Sequence, residues 1–381
     1  MKKNVLLIIR SLRRGGMERM TINLANALSR DGHHVDILVL KNRIFFKPDP
    51  EVNVKVFDIE KVFKMTVIGS LYEIIIRIIS HFWKGAKLVL ASVYSTPIFY
   101  SWVKRQEKKR GKPYDIIIAR GYGSFENLGF VSDPRLIRVV VNSLLFENAT
   151  YMKKLFFRLS FNKNKIVFNS YSVHEEFNDI CEKLAVKPDS TRVIGNPTDV
   201  ETILKLSNEN IDVKKPYIIN VGRLEIAKNH LLLVNAFALI ADKIPHQLII
   251  VGSGSYYSKV NERIKELGLT QRILLQGEVE NPYPWMKNAE LFVLSSKMEG
   301  LPNVVIESLV CHTPVVSVLG RGGTTELLKG KLEEYIAEPN AEDLSEKILF
   351  ALHTKIEVSS NMYERYAMNN VSHEYLEYAI N

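Results

Sequence analysis

Cysteine is nearly absent from this chain: Cys181 and Cys311 are the only two in 381 residues. They lie far apart, which excludes a disulfide framework and a cysteine zinc site and leaves core packing as their role. No cluster of histidines and carboxylates has metal-ligand spacing. No uninterrupted apolar run is long enough to carry a helix across a bilayer. Internal repeats, low-complexity tracts and nucleic-acid-binding motifs are missing as well. What remains is a globular composition, 46% hydrophobic and 24% charged, in a chain too long for one ordinary core. The opening "MKKNVLLIIRS" imitates a secretory signal. Its apolar run is short, however, and Arg10, Arg13 and Arg14 follow at once. It reads as a first strand, with the chain expected in the cytoplasm.

Apolar runs alternate with helical patterns along the chain. Strands are predicted at 4–9, 34–40, 115–119, 137–141, 165–168 and 191–194. A helix is predicted from about 17 to 30, with Gly15 and Gly16 forming the turn before it. "VIGNPTDVETI", with Gly195 and Pro197, reads as a link. A second series begins at Tyr217, with strands near 217–221, 247–251, 272–276, 291–294 and 314–318. The pattern predicts an α/β protein of two doubly wound parallel-sheet domains. The first spans 1–195 and the second 196–364; the resemblance set out below implies that a C-terminal helix at about 365–381 returns to the first.

Glu299 and Glu307 bracket "EGLPNVVIE", which follows the apolar strand "AELFVLSS". Pro302 suits the first turn of a helix. Glu299 then lies on the loop leaving a strand, and Glu307 about one and a half turns into the helix. The carboxyl edge of a parallel sheet binds ligands. A helix start with unbonded N–H groups suits a phosphate. On spacing alone, a surface acid and a helix-face acid are the more ordinary reading.

These segments resemble the retaining glycosyltransferases of family 4, which have the GT-B fold: two Rossmann-like domains facing a cleft. "EGLPNVVIE" resembles their E-x7-E motif. "NVLLIIRSLRRGGMERMTINLANALSRDGHHVDILVL" resembles their first strand, glycine loop, helix and second strand, and "YIINVGRLEIAKNHLLLVNAFALI" their donor-phosphate segment. "LIIVGSGS", "ILLQGEVENPYPWMKNAELFVLSS" and "TPVVSVLGRGGTTELL" follow in the family's order. The likeness covers most of 4–40 and nearly all of 216–330; 41–165 matches poorly.

The resemblance implies transfer of a hexose or N-acetylhexosamine from a nucleotide sugar, expected to be a UDP sugar, to a cell-envelope glycan. Lipopolysaccharide core and lipid-linked oligosaccharide are the acceptors considered. Arg223 and Lys228 would hold the diphosphate, whose leaving charge needs fixed cations. Glu299 would act on the sugar and Glu307 on a ribose. Gly300, Leu301 and Asn303 would offer backbone N–H groups. Gly15 and Gly16 would admit the donor closely, and Val279 would meet the base. No cofactor and no metal are expected, since no D-x-D pair is present and basic side chains with a helix end would replace Mg²⁺. Where many relatives carry a histidine, this chain has Asn142 and Ser143. Asn142 either bonds the sugar or caps the next segment. His174 reads as an exposed helix residue. A sugar-nucleotide epimerase and a non-catalytic nucleotide-sugar sensor remain alternatives.

Charge divides unevenly. Residues 1–195 hold 33 Lys+Arg against 18 Asp+Glu, while the remainder holds 18 against 24. Only the first half is expected to meet something anionic, either the inner-membrane surface or a phosphorylated acceptor; nucleic acid is not expected. Within it, 61–112 breaks the strand–helix alternation. Ile75, Ile78, Ile79 and Phe82 fall at helical spacing beside Trp83. Glu73, Arg77 and Pro97 argue against a membrane span. Lys61, Lys64, Lys84, Lys87, Lys104, Arg105, Lys108, Lys109, Arg110 and Lys112 surround these helices. An interfacial membrane element and an ordinary core-facing layer both suit this pattern.

Overall fold

The computed structural model describes residues 2–144, 146, 148–354 and 356–380. The chain forms two compact units, Met1–Pro197 with Met368–Asn381, and Thr198–Ala367.

The first unit is built on seven parallel strands: β1 (Asn4–Ile9), β2 (His34–Val39), β3 (Asn53–Val56), β4 (Ile116–Arg120), β5 (Leu136–Val140), β6 (Lys165–Phe168) and β7 (Ser190–Val193). Their order is β3-β2-β1-β4-β5-β6-β7. β1, β4 and β5 are buried along their whole length, as strands covered on both faces must be. The two-residue period of β1 sends Leu6 and Ile8 to one apolar cluster and Val5, Leu7 and Ile9 to another. Helices Gly16–Arg30 and Met368–Ile380 cover the second face, where Leu24, Leu28, Tyr375 and Tyr378 join the cluster. Gly16 is the first residue of its helix rather than part of the turn, and Gly15 is the N-cap. Cys181 packs in this unit and Cys311 in the other; burial raises both thiols to about 12, so packing is their chemistry.

Residues 61–112 belong to three helices, Ile59–Lys64, Val67–Phe82 and Ala86–Arg110. Among the described residues no helix is long and apolar enough to cross a membrane. The helix Ala86–Arg110 is core-facing: Tyr94, Phe99, Trp102 and Val103 enter the Leu6 cluster. Its last residue also departs from the expected solvated basic fringe. Arg110 turns inward to Asp36, a fully buried carboxylate on β2 that also receives Lys55 Nζ at 2.7 Å and Tyr114 OH at 2.5 Å. Lys64 and Lys87 are likewise ion-paired, both to Glu60.

The second unit has a six-stranded parallel sheet formed by β8 (Tyr217–Val221), β9 (Gln247–Val251), β10 (Ile273–Gly277), β11 (Leu291–Leu294), β13 (Val315–Val318) and β15 (Ile336–Ala337). A separate pair is made by β12 (Met298–Glu299) and β14 (Arg321–Gly322). Strand order in the large sheet is β10-β9-β8-β11-β13-β15. The apolar runs "YIINV", "LFVL" and "VVSV" lie at its centre, almost wholly buried.

Asp36 carries a testable consequence. Burial works to raise its carboxyl pKa, and the bonds from Lys55 and Tyr114 more than reverse this, leaving it below the ordinary value. Its stabilising effect is therefore present above the unfolded carboxyl range, near pH 4, and is lost as pH falls. Asp36→Asn should cost about 3–5 kcal/mol in urea unfolding, because Arg110 and Lys55 lose the charge they face. An unchanged urea midpoint would remove Asp36 as the anchor of this corner.

Candidate functional site

In the second unit β8 lies between β9 and β11, so the chain leaves β8 and β11 on opposite sides of the strand-order reversal. That is the place where open parallel sheets receive ligands, outside the carboxyl ends of the strands. The loops after β8 and β11 meet there. Lys297 N–H donates to the Ala227 carbonyl at 2.8 Å, and Ser295 Oγ donates to the Lys228 carbonyl at 2.9 Å. These bonds bring the Lys228 ammonium onto the Glu299 carboxylate in a half-buried ion pair.

Glu299 is held from its other side too. It sits in the short strand β12, paired with β14 so that Glu299 faces Gly322. Gly323 N–H donates to the Gly300 carbonyl at 2.8 Å. Gly322 has φ +107°, and a Cβ there would stand 1.5 Å from the Glu299 carbonyl oxygen. Only glycine permits this approach. The helix then begins at Asn303, with Pro302 at the N-cap position instead of inside the first turn. Pro302 donates no N–H, and its carbonyl accepts from Val305 N–H at 3.0 Å. Gly300, Leu301 and Glu307 are buried, and Glu307 lies on the same short helix, Asn303–Val310.

The other residues singled out by the resemblance are dispersed. Arg223 follows β8 on the same loop as Lys228, but its side chain is 74% exposed and pairs with Glu225 at 2.7 Å. Val279 follows β10 at the sheet edge and packs against the core. Among the described residues no group of three His, Cys, Asp or Glu side chains could hold a metal ion.

The first unit has its own reversal, between β1 and β4. Arg10, just past β1, pairs with Glu126 across it at 3.1 Å. Burial raises the Glu126 carboxyl above its ordinary value, opposed by Arg10 and Lys87. Near this edge a Cβ on Gly15 would meet the Glu18 carboxylate at 2.3 Å. Asn142 is exposed just beyond β5 and caps no helix: the next one, Tyr151–Phe161, is capped by Thr150. His174 is half-buried and stacked on Phe168 at 4.7 Å, not exposed, and desolvation lowers its pKa.

Sequence reasoning overlooked Arg10, Glu126, Glu225 and Gly322. "GRGG", directly after an apolar strand, was the available signal for Gly322, since glycines there mark close backbone approach. The Arg10–Glu126 pair had none, because its partners, 116 positions apart, are joined only by strand order.

His230, two residues after Lys228 in the chain, is buried, and desolvation with the Lys228 charge lowers its pKa to about 4. Between pH 6.5 and 4 the unfolded state binds the extra proton, so stability should fall by about 3 kcal/mol as pH drops through that window. Urea melts of wild type and His230→Asn across it would test this. An identical pH slope in both would exclude His230 as the cause.

Residues 14–202 match the family profile described as Glycosyltransferase Family 4, and residues 203–370 that described as Glycosyl transferases group 1. Over 198 residues the chain is 33% identical to the N-acetylgalactosamine-N,N'-diacetylbacillosaminyl-diphospho-undecaprenol 4-alpha-N-acetylgalactosaminyltransferase of Campylobacter jejuni, covering 50% of this chain and 53% of that protein. The chain spans about half the length of the first curated relatives it matches. It is 25% identical over 325 residues to the GalNAc-alpha-(1->4)-GalNAc-alpha-(1->3)-diNAcBac-PP-undecaprenol alpha-1,4-N-acetyl-D-galactosaminyltransferase of the same organism, covering 84% of this chain and 81% of that protein. Among solved structures, Anabaena Alr3699/HepE in complex with UDP superposes with a TM-score of 0.71 at 18% identity, covering 98% of each chain.

Proposed function

Because the chain belongs to the GT-B glycosyltransferases, with a front half of the family 4 type and a rear half of the group 1 type, we propose that it moves a hexose or N-acetylhexosamine from a UDP sugar to a cell-envelope glycan. The observation that carries this reading is the Lys228–Glu299 pair at the β8/β11 reversal, beside the start of the helix Asn303–Val310. An arriving diphosphate would share the Lys228 ammonium with Glu299 and would draw the exposed Arg223 from Glu225. Backbone N–H groups of Gly300, Leu301 and Asn303 would complete the anion site. Glu299, restrained by β14, would accept hydrogen bonds from sugar hydroxyls. Glu307 would take the ribose and Val279 the base. Lys228 and Arg223 supply the positive charge that Mg²⁺ supplies in metal-dependent transferases.

The reaction is read as retaining, with Glu299 and Glu307 as the two acids of E-x7-E. The bond from the anomeric carbon to the diphosphate oxygen breaks, and the acceptor hydroxyl forms its bond on the same face. The leaving phosphate oxygen takes the hydroxyl's proton, so no paired catalytic carboxylates are required. The α-linkages in the names of both Campylobacter relatives support this stereochemistry. The lipid-linked diphosphate sugars in those names support a lipid-linked acceptor over lipopolysaccharide core, and the UDP in the Anabaena structure supports the donor base. The first unit would hold the acceptor, with Arg10, Glu126 and Asn142 at its carboxyl edge. The site of action would be the cytoplasmic face of the inner membrane.

Glu299→Gln should lower kcat by about tenfold to a hundredfold while UDP affinity stays near wild type, since one charged hydrogen bond to the sugar is worth about 1.5–3 kcal/mol. Arg223→Ala and Lys228→Ala should each impair turnover, and together should lose less than the sum of the two losses. Full turnover in Glu299→Gln would take Glu299 out of the site. Incubating the protein with UDP sugars alone separates the competing activities. Slow donor hydrolysis supports transfer, free epimer an epimerase, and binding without turnover a sensor.

A further inference from the structure

The helix Val67–Phe82 buries Ile76 but turns a longer apolar stripe outward. Ile68, Leu71, Ile75, Ile78 and Phe82 recur at intervals of three and four, which places them on one side. That side faces outward: Ile68 is 75% exposed, Ile78 56% and Phe82 75%, with Trp83 following at 64%. The residues buried from this helix are Gly69, Glu73 and Ile76. Glu73 points inward to Lys64 Nζ at 3.3 Å, and Lys64 in turn bonds Glu60 at 2.7 Å. A surface helix ordinarily buries its apolar stripe and turns its acids to water. This one hides its only acid and presents the stripe, a patch that in soluble proteins marks a binding face.

Charge identifies the occupant. From residue 61 to residue 106 the sole acidic side chain is the buried Glu73, whereas Lys61, Arg77, Lys84, Lys104 and Arg105 are exposed. A second copy packed symmetrically on the stripe would set these cations against themselves, with no exposed acid along the segment to pair them. An anionic bilayer offers both hydrocarbon for the stripe and negative headgroups for the rim. Aromatic residues stand at one end, as they do where proteins meet headgroups. Trp83 is joined there by Tyr151, 74% exposed, whose helix is tied to this corner by a bond from Thr150 Oγ1 to the Lys84 carbonyl at 2.8 Å. With 16 residues the helix is too short to span a bilayer and suits lying on one.

We propose that Val67–Phe82, with Trp83 and Lys84, docks this protein on anionic lipid, lying in the headgroup plane with the Ile68–Phe82 stripe in the acyl boundary. The proposal rests on this surface alone and not on the donor chemistry. It also moves membrane contact away from the basic end of Ala86–Arg110, where Arg110 is committed to Asp36.

The test is cosedimentation of the full chain with vesicles of equal parts phosphatidylglycerol and phosphatidylcholine, and with phosphatidylcholine alone, at low and high salt. Wild type should bind the anionic vesicles, and high salt should weaken it. Ile68→Ser/Ile75→Ser/Ile78→Ser should lose at least about tenfold in vesicle affinity, as several apolar side chains leave the lipid. Arg77→Glu/Lys84→Glu should lose a similar factor on anionic vesicles only. All five positions are exposed, so circular dichroism and thermal unfolding should stay at wild-type values in both variants. Wild type that ignores both vesicle types overturns the proposal, as does a serine triple that binds like wild type. Concentration-dependent dimerisation abolished by the triple, without vesicle binding, assigns the face to a second copy and also overturns it. Turnover on a soluble acceptor is read separately: its absence would count against glycosyl transfer and leave the docking result standing.

Discussion

The second unit depends on a lysine and a glutamate meeting where strand order reverses. Neither side chain is fully solvated, and removing charge from water is costly unless an opposite charge compensates. The pair therefore holds two loops, those after β8 and β11, in one arrangement before any ligand arrives. Backbone bonds reinforce it from both sides, through Ala227–Lys297 and through the β12–β14 pairing. The result is local order: the Lys228 ammonium and the Glu299 carboxylate are fixed against one another at the carboxyl edge of the sheet, while Arg223 on the same loop stays exposed. The Arg10–Glu126 pair has the same position relative to β1 and β4 in the first unit. The two sheets thus use one solution twice, an ion pair bridging the point where crossovers diverge.

The first unit spends its polar groups differently. Asp36 gathers Lys55, Arg110 and Tyr114 at the sheet end of one long helix, and the Lys41–Glu60–Lys64–Glu73 chain ties down the helix beside it. Ordinary helices in such layers are held by apolar contact and solubilised by charge. Here charge adds to the apolar contacts of Tyr72 and Ile76, and the remaining apolar side chains face outward.

The central strands were legible because apolar runs such as "NVLLII", "YIINV" and "LFVL" stand between glycines and charged residues. β3 was not, because "NVKV" at the sheet edge is only half covered and carries a lysine. The two-residue strands β12 and β14 have no period to read. Helical spacing around Ile75 and Ile78 was plain in the sequence. Which side of that helix faces water was not, since the answer depends on where Glu73 finds a cation. Lys228 and Glu299 stand 71 positions apart. Local pattern cannot express such a pairing, and the family resemblance singled out both residues without showing that they touch.

The helix Met368–Ile380 completes a unit begun at the other end of the chain. Arg120, buried at the tip of β4, donates to Tyr375 OH at 3.0 Å across 255 positions. Ile166 N–H donates to Tyr378 OH at 3.2 Å, and Val371 fills the same cluster. On the ribosome all seven strands of the first sheet emerge long before these partners do. During that interval one face of the sheet is covered only by the helix Gly16–Arg30, and the Arg120 guanidinium waits without its Tyr375 hydroxyl. The second unit, by contrast, is one continuous stretch and can close as soon as it clears the exit tunnel. The half that is synthesised first is therefore the half that is finished last.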